Sequence, residues 1–148
     1  CYRDEYNQTL GEKRGDFRVM LAHEWLTQAI APSAGQDNSG EPWYLFGHCT
    51  EVTALPAAPK QWTEIFARFG AKMEYISTGC CGMAGTYGHE VKNHANSLAI
   101  YALSWQQAMA RLPRSRCLAT GYSCRSQVKR IEGSGVRHPL QALLEIIG

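Results

Sequence analysis

Two adjacent cysteines followed by glycine, Cys80-Cys81-Gly82, are the residues of this chain best suited to chemistry. Two further glycines, Gly85 and Gly88, follow in the same stretch. Neighbouring cysteines cannot join in an ordinary disulfide without strain, because that bond requires its own Cα separation and torsion. Two thiolates on a glycine-rich loop suit a soft metal or an iron–sulfur cluster, since glycine lets the backbone approach an inorganic core closely. The motif therefore predicts a metal-binding loop.

The remaining cysteines decide between a disulfide framework and a reduced metal site. The chain has six cysteines, and this even number would allow three disulfides in a secreted protein. We favour reduced thiols, because Cys80 and Cys81 would each need a separate partner on one loop. A chain of 148 residues can also bury a core without cross-links. Cys117 falls inside a predicted strand, and we expect it to be a core thiol.

Composition limits the class of protein. Hydrophobic residues make up 45% of the chain, charged residues 19%, and the net charge is +2, which is too small to indicate a nucleic-acid partner. No apolar run is long enough for a membrane span, and no signal peptide is visible. The chain begins at Cys1, and we interpret it as a piece of a longer protein. We expect that protein to be cytoplasmic, including the inner face of the membrane as a peripheral location.

Strands alternate with helices along the chain, which predicts an α/β fold with a small, mostly parallel sheet flanked by helices. Residues 32–42 are rich in Gly, Ser, Asn, Asp and Pro and predict an exposed loop. The predicted strands are 43–46, 72–76, 117–120 and, more weakly, 135–137. The predicted helices are 17–30, 61–69, 91–112, a segment through 128 and 131, and 139–147.

The carboxyl ends of parallel strands meet at one edge of a sheet, where functional groups collect. Cys49 follows the first predicted strand, Cys80 and Cys81 follow the second, and Cys124 follows the third. The sequence therefore predicts these four cysteines as metal ligands at the carboxyl ends of the strands. This spacing differs from a zinc finger, where ligands come in close pairs, so the fold must form before the site exists.

Other side chains near the cysteines have two interpretations. His48 and His89 are either ligands or hydrogen-bond partners of a cluster, or turn histidines that face water. Tyr87, on the glycine loop, is expected to shield a cluster from water. No base and orienting partner accompany Cys80 or Cys124, so we predict no catalytic residue in this chain.

The motif resembles a known family. The stretch 80–88, together with Ser97 and His138-Pro139, resembles the cysteine-rich CCG domain of heterodisulfide reductase subunits. The same domain occurs in the iron–sulfur subunits of glycolate, lactate and anaerobic glycerol-3-phosphate dehydrogenases. The whole chain resembles the end of bacterial flavoproteins that fuse an FAD-binding D-2-hydroxyacid dehydrogenase to ferredoxin-like and CCG segments. This resemblance implies a linker over 1–16 and the second half of a CCG domain over 17–148.

The resemblance also implies a role in electron transfer. It implies an iron–sulfur cluster, of 4Fe–4S type, in this chain, and FAD elsewhere in the parent protein. The implied partners are the flavin and ferredoxin-like domains, the first CCG half, and an electron acceptor such as a quinone or a flavoprotein. Gly82, Gly85 and Gly88 would shape the loop and donate N–H groups to sulfur. The chain by itself is not expected to oxidise a substrate.

The chain departs from the family pattern at two positions. Gly121 stands where the family usually has the first cysteine of a Cys-x-x-Cys turn that ends at Cys124, and Thr50 follows Cys49 where the family often has histidine. A ligand is therefore missing from the expected set. Two alternatives stay open: a redox-inactive zinc site built from the same cysteines, or a docking domain that holds no metal.

Overall fold

A three-stranded parallel sheet lies at the centre of the protein. The computed structural model describes residues 2–30 and 40–148. The strands are β1 (Trp43–Phe46), β2 (Met73–Tyr75) and β3 (Cys117–Ala119), and their order across the sheet is β2-β1-β3. The small parallel sheet flanked by helices confirms the predicted α/β class.

Helices cover both faces of the sheet, and four short 3₁₀ turns lie between them. No helix among residues 2–30 and 40–148 is both long enough and apolar enough to cross a membrane. The α-helices are α1 (Tyr2–Leu10), α2 (Ala22–Ala29), α3 (Cys49–Ala54), α4 (Ala58–Arg68), α5 (His94–Arg111), α6 (Tyr122–Glu132) and α7 (Pro139–Ile147). The 3₁₀ turns are Gly11–Arg14, Tyr87–His89, Val91–Asn93 and Arg114–Arg116.

The alternation of side chains along each strand divides the core into two layers. Trp43, Leu45 and Leu118 pack with α2, α4 and α7 on one face of the sheet. Phe46, Cys117 and Ala119 pack with α5 and α6 on the other face. Because both faces are covered there, β1 and β3 are continuous apolar runs, as is usual for a parallel sheet, whereas the edge strand β2 contains the exposed Glu74. Cys117 is buried in the second layer, which confirms that it is a core thiol.

Two predicted elements differ in the structure, and a third is largely untested. The helix predicted over 17–30 begins only at Ala22, where the side chain of Glu24 accepts a hydrogen bond from the Leu21 N–H at 2.9 Å. The weak strand at 135–137 is a single bridge to Leu118, since Pro139 follows closely and cannot donate to a ladder. Most of the predicted loop over 32–42 lies outside the described residues, and 40–42 form neither helix nor strand.

Helix boundaries around the site also differ from those predicted. The sequence analysis did not predict the short helix α3, which begins at Cys49 directly after β1. The segment 91–112 divides into a 3₁₀ turn and the longer helix α5. The thiol of Cys49 therefore lies in the first turn of a helix rather than in an open loop.

His138 lies at the start of α7 and caps it. Its Nδ1 accepts the Leu140 N–H at 3.1 Å, and its own N–H donates to the Gln141 side chain at 2.8 Å. Burial, with a smaller contribution from the charge of Arg125, lowers the pKa of His138 from 6.5 to about 4. The folded protein therefore prefers the neutral imidazole, which keeps Nδ1 free to accept.

This cap predicts a pH-dependent loss of stability. Between pH 6.5 and about 4 the unfolded chain binds a proton at residue 138 that the folded chain does not, so the free energy of unfolding falls as the pH falls. A His138→Asn variant keeps a capping acceptor without titrating in this range. We expect its urea unfolding curves to lose less stability over this pH window than those of the wild type.

The matched control is His94→Asn, which replaces an exposed histidine at the start of α5. It should follow the wild-type pH dependence. Equal slopes for the wild type and His138→Asn would contradict the prediction.

Candidate functional site

The double-cysteine loop follows β2 and packs directly against the first turns of α5. Gly82 has φ +85°, and a Cβ at this position would lie 2.2 Å from the carbonyl oxygen of Ser97. A Cβ at Gly88 would lie 2.6 Å from the Ser97 hydroxyl. The loop reaches α5 because these two residues have no side chain. Gly85 also has positive φ, but a Cβ there would have open space around it.

Polar side chains of α5 and α6 hold this loop in place. Gln127 donates to the Ser97 hydroxyl at 2.9 Å, and both residues are fully buried. Arg130 donates to the Gly88 carbonyl and, at 3.1 Å, to the Ser97 hydroxyl. At the other end of the loop, Trp105 donates to the Gly79 carbonyl at 2.9 Å. The loop conformation is therefore fixed by side chains that are distant in sequence from the cysteines.

Cys81 and Cys124 form a buried pair of thiols, 2% and 1% exposed. The hydrogen bond from the Cys124 thiol to the Cys81 sulfur is the largest effect on both groups. It lowers the pKa of Cys81 to about 7 and, together with burial, raises the pKa of Cys124. Near neutral pH, Cys81 is therefore partly ionised, whereas Cys124 remains a thiol.

Cys80 and Cys49 form a second, more accessible pair. Cys80 is half-buried and Cys49 is exposed. Burial raises the pKa of Cys80, the Gly82 N–H that donates to its sulfur at 3.3 Å opposes this, and the Cys81 and Cys49 thiols raise the pKa further. The charge of Cys49 also acts on Cys124, so the four predicted ligands come together at the carboxyl edge of the sheet. None of the five cysteines among the described residues is in a disulfide.

His48 occupies the space beside Gly121. A Cβ at residue 121 would lie 2.4 Å from the Cδ2 of His48 and 2.9 Å from the sulfur of Cys124. The His48 Nε2 lies 3.4 Å from the Ser123 hydroxyl, and its backbone N–H donates to the Thr120 side chain at 3.0 Å. An imidazole therefore fills the space that a side chain at residue 121 would need. Of the two histidine candidates, His48 is the one that the structure brings to the thiols.

The other predicted residues have more limited contacts. The Gly88 N–H donates to the Met83 carbonyl at 2.9 Å, so Gly88 shapes the loop and does not donate to sulfur as predicted. Tyr87 is half-buried in the 3₁₀ turn, and His89 is exposed at its end. The sequence analysis did not predict the roles of Gln127 and Arg130, because their positions in α6 resemble an ordinary helix face.

The thiols have the chemistry of a soft-metal site, but they are paired with one another. Among residues 2–30 and 40–148, no group of three or more His, Cys, Asp or Glu side chains is arranged to hold a metal ion. The donor set is nevertheless one that soft metals and iron–sulfur clusters select. The Thr78 hydroxyl, buried near the start of the loop, has no partner among the described residues.

The fold and the site define a cysteine-rich α/β segment in which thiols from three strand ends are gathered at one sheet edge. The chain is 74% identical over 147 residues to D-2-hydroxyglutarate dehydrogenase of Escherichia coli (strain K12), matching 99% of this chain and 14% of that protein. It is 70% identical to the protein of the same name from Pantoea ananatis, again over 99% of this chain and 14% of that protein.

A more distant relative extends this similarity. The D-2-hydroxyglutarate dehydrogenase of Haemophilus influenzae is 51% identical over 154 residues, which cover 99% of this chain and 15% of that protein. No model of a known protein family matches the chain. No solved structure matches it. The chain therefore spans about one seventh of the length of the curated relatives that it matches.

The loop geometry predicts different costs for two glycine substitutions. Gly82→Ala places a Cβ against the Ser97 backbone carbonyl, whereas Gly85→Ala adds a Cβ in open space at a similar positive φ. We expect Gly85→Ala to cost about 1 kcal/mol of the free energy of unfolding, through backbone strain alone. Gly82→Ala should cost at least about 2 kcal/mol more, which is typical of overpacking. Equal costs in chemical denaturation would contradict the proposed close approach.

Proposed function

We propose that this chain is the electron-transfer segment of a flavin-linked 2-hydroxyacid dehydrogenase. Its relatives are named for D-2-hydroxyglutarate, which is a 2-hydroxyacid. Oxidation of a 2-hydroxyacid to a 2-oxoacid releases two electrons, and these need a path to an acceptor. The observation that carries the proposal is the meeting of four reduced thiols at one edge of the sheet.

Cys49, Cys80, Cys81 and Cys124 are the residues that would hold an iron–sulfur cluster. A 4Fe–4S cluster supplies a centre that accepts and releases single electrons. The lowered pKa of Cys81 supports ligation, because metals bind the thiolate. The burial of Cys81 and Cys124 keeps water away from two of the four sulfur atoms. Low exposure to water is one of the factors that tune the potential of such a centre.

The loop residues have supporting roles in this proposal. Gly82 donates its N–H to the Cys80 sulfur, and hydrogen bonds to sulfur tune the potential of a bound centre. Gly85 and Gly88 give the loop its path around the thiols. Tyr87 is half-buried on the same loop and would limit access of water. The Thr78 hydroxyl is an unpaired donor available to a sulfur atom.

The proposed partners lie outside this chain. FAD and a ferredoxin-like domain of the parent protein would supply electrons, the first CCG half would adjoin this one, and a quinone or a flavoprotein would accept the electrons. Reduced cysteines favour a reducing compartment, so we propose the cytoplasm, including the inner face of the membrane. This chain would carry electrons and would not itself oxidise the hydroxyacid.

A structural zinc site is the second candidate. Four thiols are the number that a closed tetrahedral zinc site uses, and Gly121 removes the fifth cysteine that the family pattern contains. The third candidate, a docking domain without metal, would leave the two thiol pairs as they are in the structure. The three candidates predict different contents of iron, zinc and acid-labile sulfide in protein that is purified without oxygen.

The decisive experiment is metal and sulfide analysis of the full-length protein, purified anaerobically, as wild type, Cys81→Ser and Cys117→Ser. We expect Cys81→Ser to contain less iron and less acid-labile sulfide than the wild type, by the amount that corresponds to one cluster per protein, because the substitution removes a ligand. Cys117→Ser removes a buried thiol outside the site, one whose pKa burial raises to about 11, and should keep the wild-type content. Loss of zinc without sulfide would support the structural site, and no metal difference would support the docking domain.

A kinetic readout separates electron transfer from substrate oxidation. In Cys81→Ser, the hydroxyacid should still bleach the flavin absorption at the wild-type rate, whereas reoxidation by an added acceptor should slow strongly. If both half-reactions are unchanged, the cysteines do not carry electrons.

A further inference from the structure

Helix α5 has an exposed side without charged residues. Residues 95–110 contain no Asp, Glu, Lys, Arg or His. One side of the helix packs in the core and is buried. The opposite side, the outer face of α5, consists of exposed residues: Asn96, Leu98, Ala99, Leu103, Gln106 and Gln107.

Helices α4 and α6 differ from α5 in this respect. On α4, Lys60 and Glu64 are exposed and form an ion pair at 3.7 Å, and α6 exposes Lys129. A helix between a core and water usually carries charged residues on its water side. Charged residues are depleted at the centre of protein interfaces. The composition of the outer face of α5 is therefore typical of a surface that another body covers.

Large apolar side chains are exposed along the same segment. Leu103 is 76% exposed and Leu98 is 37% exposed, and Val91, in the 3₁₀ turn before α5, is 93% exposed. Glu90 and Lys92 flank Val91 and form an ion pair at 3.1 Å. Exposed apolar side chains with a polar rim mark interaction sites.

The outer face of α5 begins beside the double-cysteine loop. The turn that contains Val91 directly follows the 3₁₀ turn Tyr87–His89, at the end of that loop. Ser97, in the first turns of α5, contacts the loop, and Leu98 and Ala99 follow it on the outer face. A body that packs here would lie about one helix width, roughly 10 Å, from the loop.

The size of the face distinguishes two occupants. With 18 residues, α5 is about 27 Å long and about 10 Å wide, so its outer face offers on the order of 270 Å². The smallest interfaces between domains of one chain bury about 600 Å² over both sides, whereas stable dimers bury at least about 1,200 Å². The face therefore suits another part of the same polypeptide better than a second copy. In the relatives, the matched segment is only 14% of the protein, so most of the polypeptide lies outside it.

We propose that the rest of the parent polypeptide packs on the outer face of α5 through an uncharged, mostly apolar surface of its own. The packed region covers Leu98 and Leu103, and the amides of Gln106 and Gln107 supply hydrogen bonds at its edge. A use of this contact to bring electrons to the thiols rests on the proposed function, whereas the contact itself does not.

The test is hydroxyl-radical footprinting of the full-length protein, in which mass spectrometry measures the rate of oxidation of the Leu103 side chain. The reference is the free tryptic peptide 93–111 from the same protein. Interface cores pack as tightly as protein interiors, so the exposure of Leu103 should fall from 76% to below about 10%, and its oxidation should slow about eightfold. Oxidation at about three quarters of the peptide rate, as the exposure in this chain alone implies, would overturn the proposal.

A matched pair of variants tests the position of the contact. Ala99→Lys places a charge on the outer face one turn before Leu103 and should restore most of the peptide rate, because an unpaired buried charge opens the contact. Ala67→Lys adds the same charge to the exposed side of α4 and should keep the wild-type protection. Both alanines are exposed in this chain, so neither lysine enters its core. Equal protection of Leu103 in the two variants would overturn the proposal.

Sedimentation of the same samples tests the second copy as the occupant. If the parent polypeptide covers α5, protection of Leu103 does not depend on protein concentration, and Ala99→Lys has the mass of the wild type. Protection that disappears on dilution, together with a fall in mass, would overturn the proposal in favour of a second copy.

Failure of this proposal is distinguishable from failure of the proposed function. Footprinting requires no hydroxyacid and no metal, whereas the proposed function is measured by iron and sulfide. Iron and sulfide with an unprotected Leu103 would overturn the docking surface alone. A protected Leu103 without iron and sulfide would support the docking surface and overturn the cluster.

Discussion

The close approach of the double-cysteine loop to helix α5 is the constraint on which the site depends. The carbonyl oxygen of Ser97 lies 2.2 Å from where a Cβ at position 82 would be, and the Ser97 hydroxyl lies 2.6 Å from where a Cβ at position 88 would be. This contact brings Cys81 down into the core beside Cys124 and leaves Cys80 above it, near Cys49. The division into one buried and one accessible thiol pair follows from the depth of the loop.

A polar network in an otherwise apolar layer holds the double-cysteine loop close to α5. Gln127 and Ser97 are both completely buried, and Arg130 brings a guanidinium to the same hydroxyl and to the Gly88 carbonyl. Such a network specifies one geometry to the extent that its members are satisfied: the Ser97 hydroxyl has two donors here, whereas the Gln127 Oε1 has no partner among the described residues. Helix α6 carries both Gln127 and Cys124, so the helix that fixes the loop also presents a thiol to it.

The sequence was sufficient for features that local patterns determine. The apolar run at β1, the long helix α5 and the Pro139 start of α7 are encoded in neighbouring residues, and the strand-end rule placed the four cysteines together. The rest depends on tertiary contacts. The start of α2 depends on a carboxylate cap that no periodicity reveals, and the strand at 135–137 shrinks to one bridge. The packing of His48 on Gly121 joins residues 73 positions apart. The sequence alone therefore could not decide whether His48 lies at the thiols or faces water.

That packing has a consequence for the order in which substitutions can accumulate in this protein. Because the His48 ring lies within 2.4 Å of where a Cβ at residue 121 would be, the two positions cannot both carry large side chains in this arrangement. A change from glycine to cysteine at 121 would be tolerated only after, or together with, a smaller or displaced residue at 48. The two positions are thus sterically coupled: with His48 in this orientation, residue 121 has room for glycine alone.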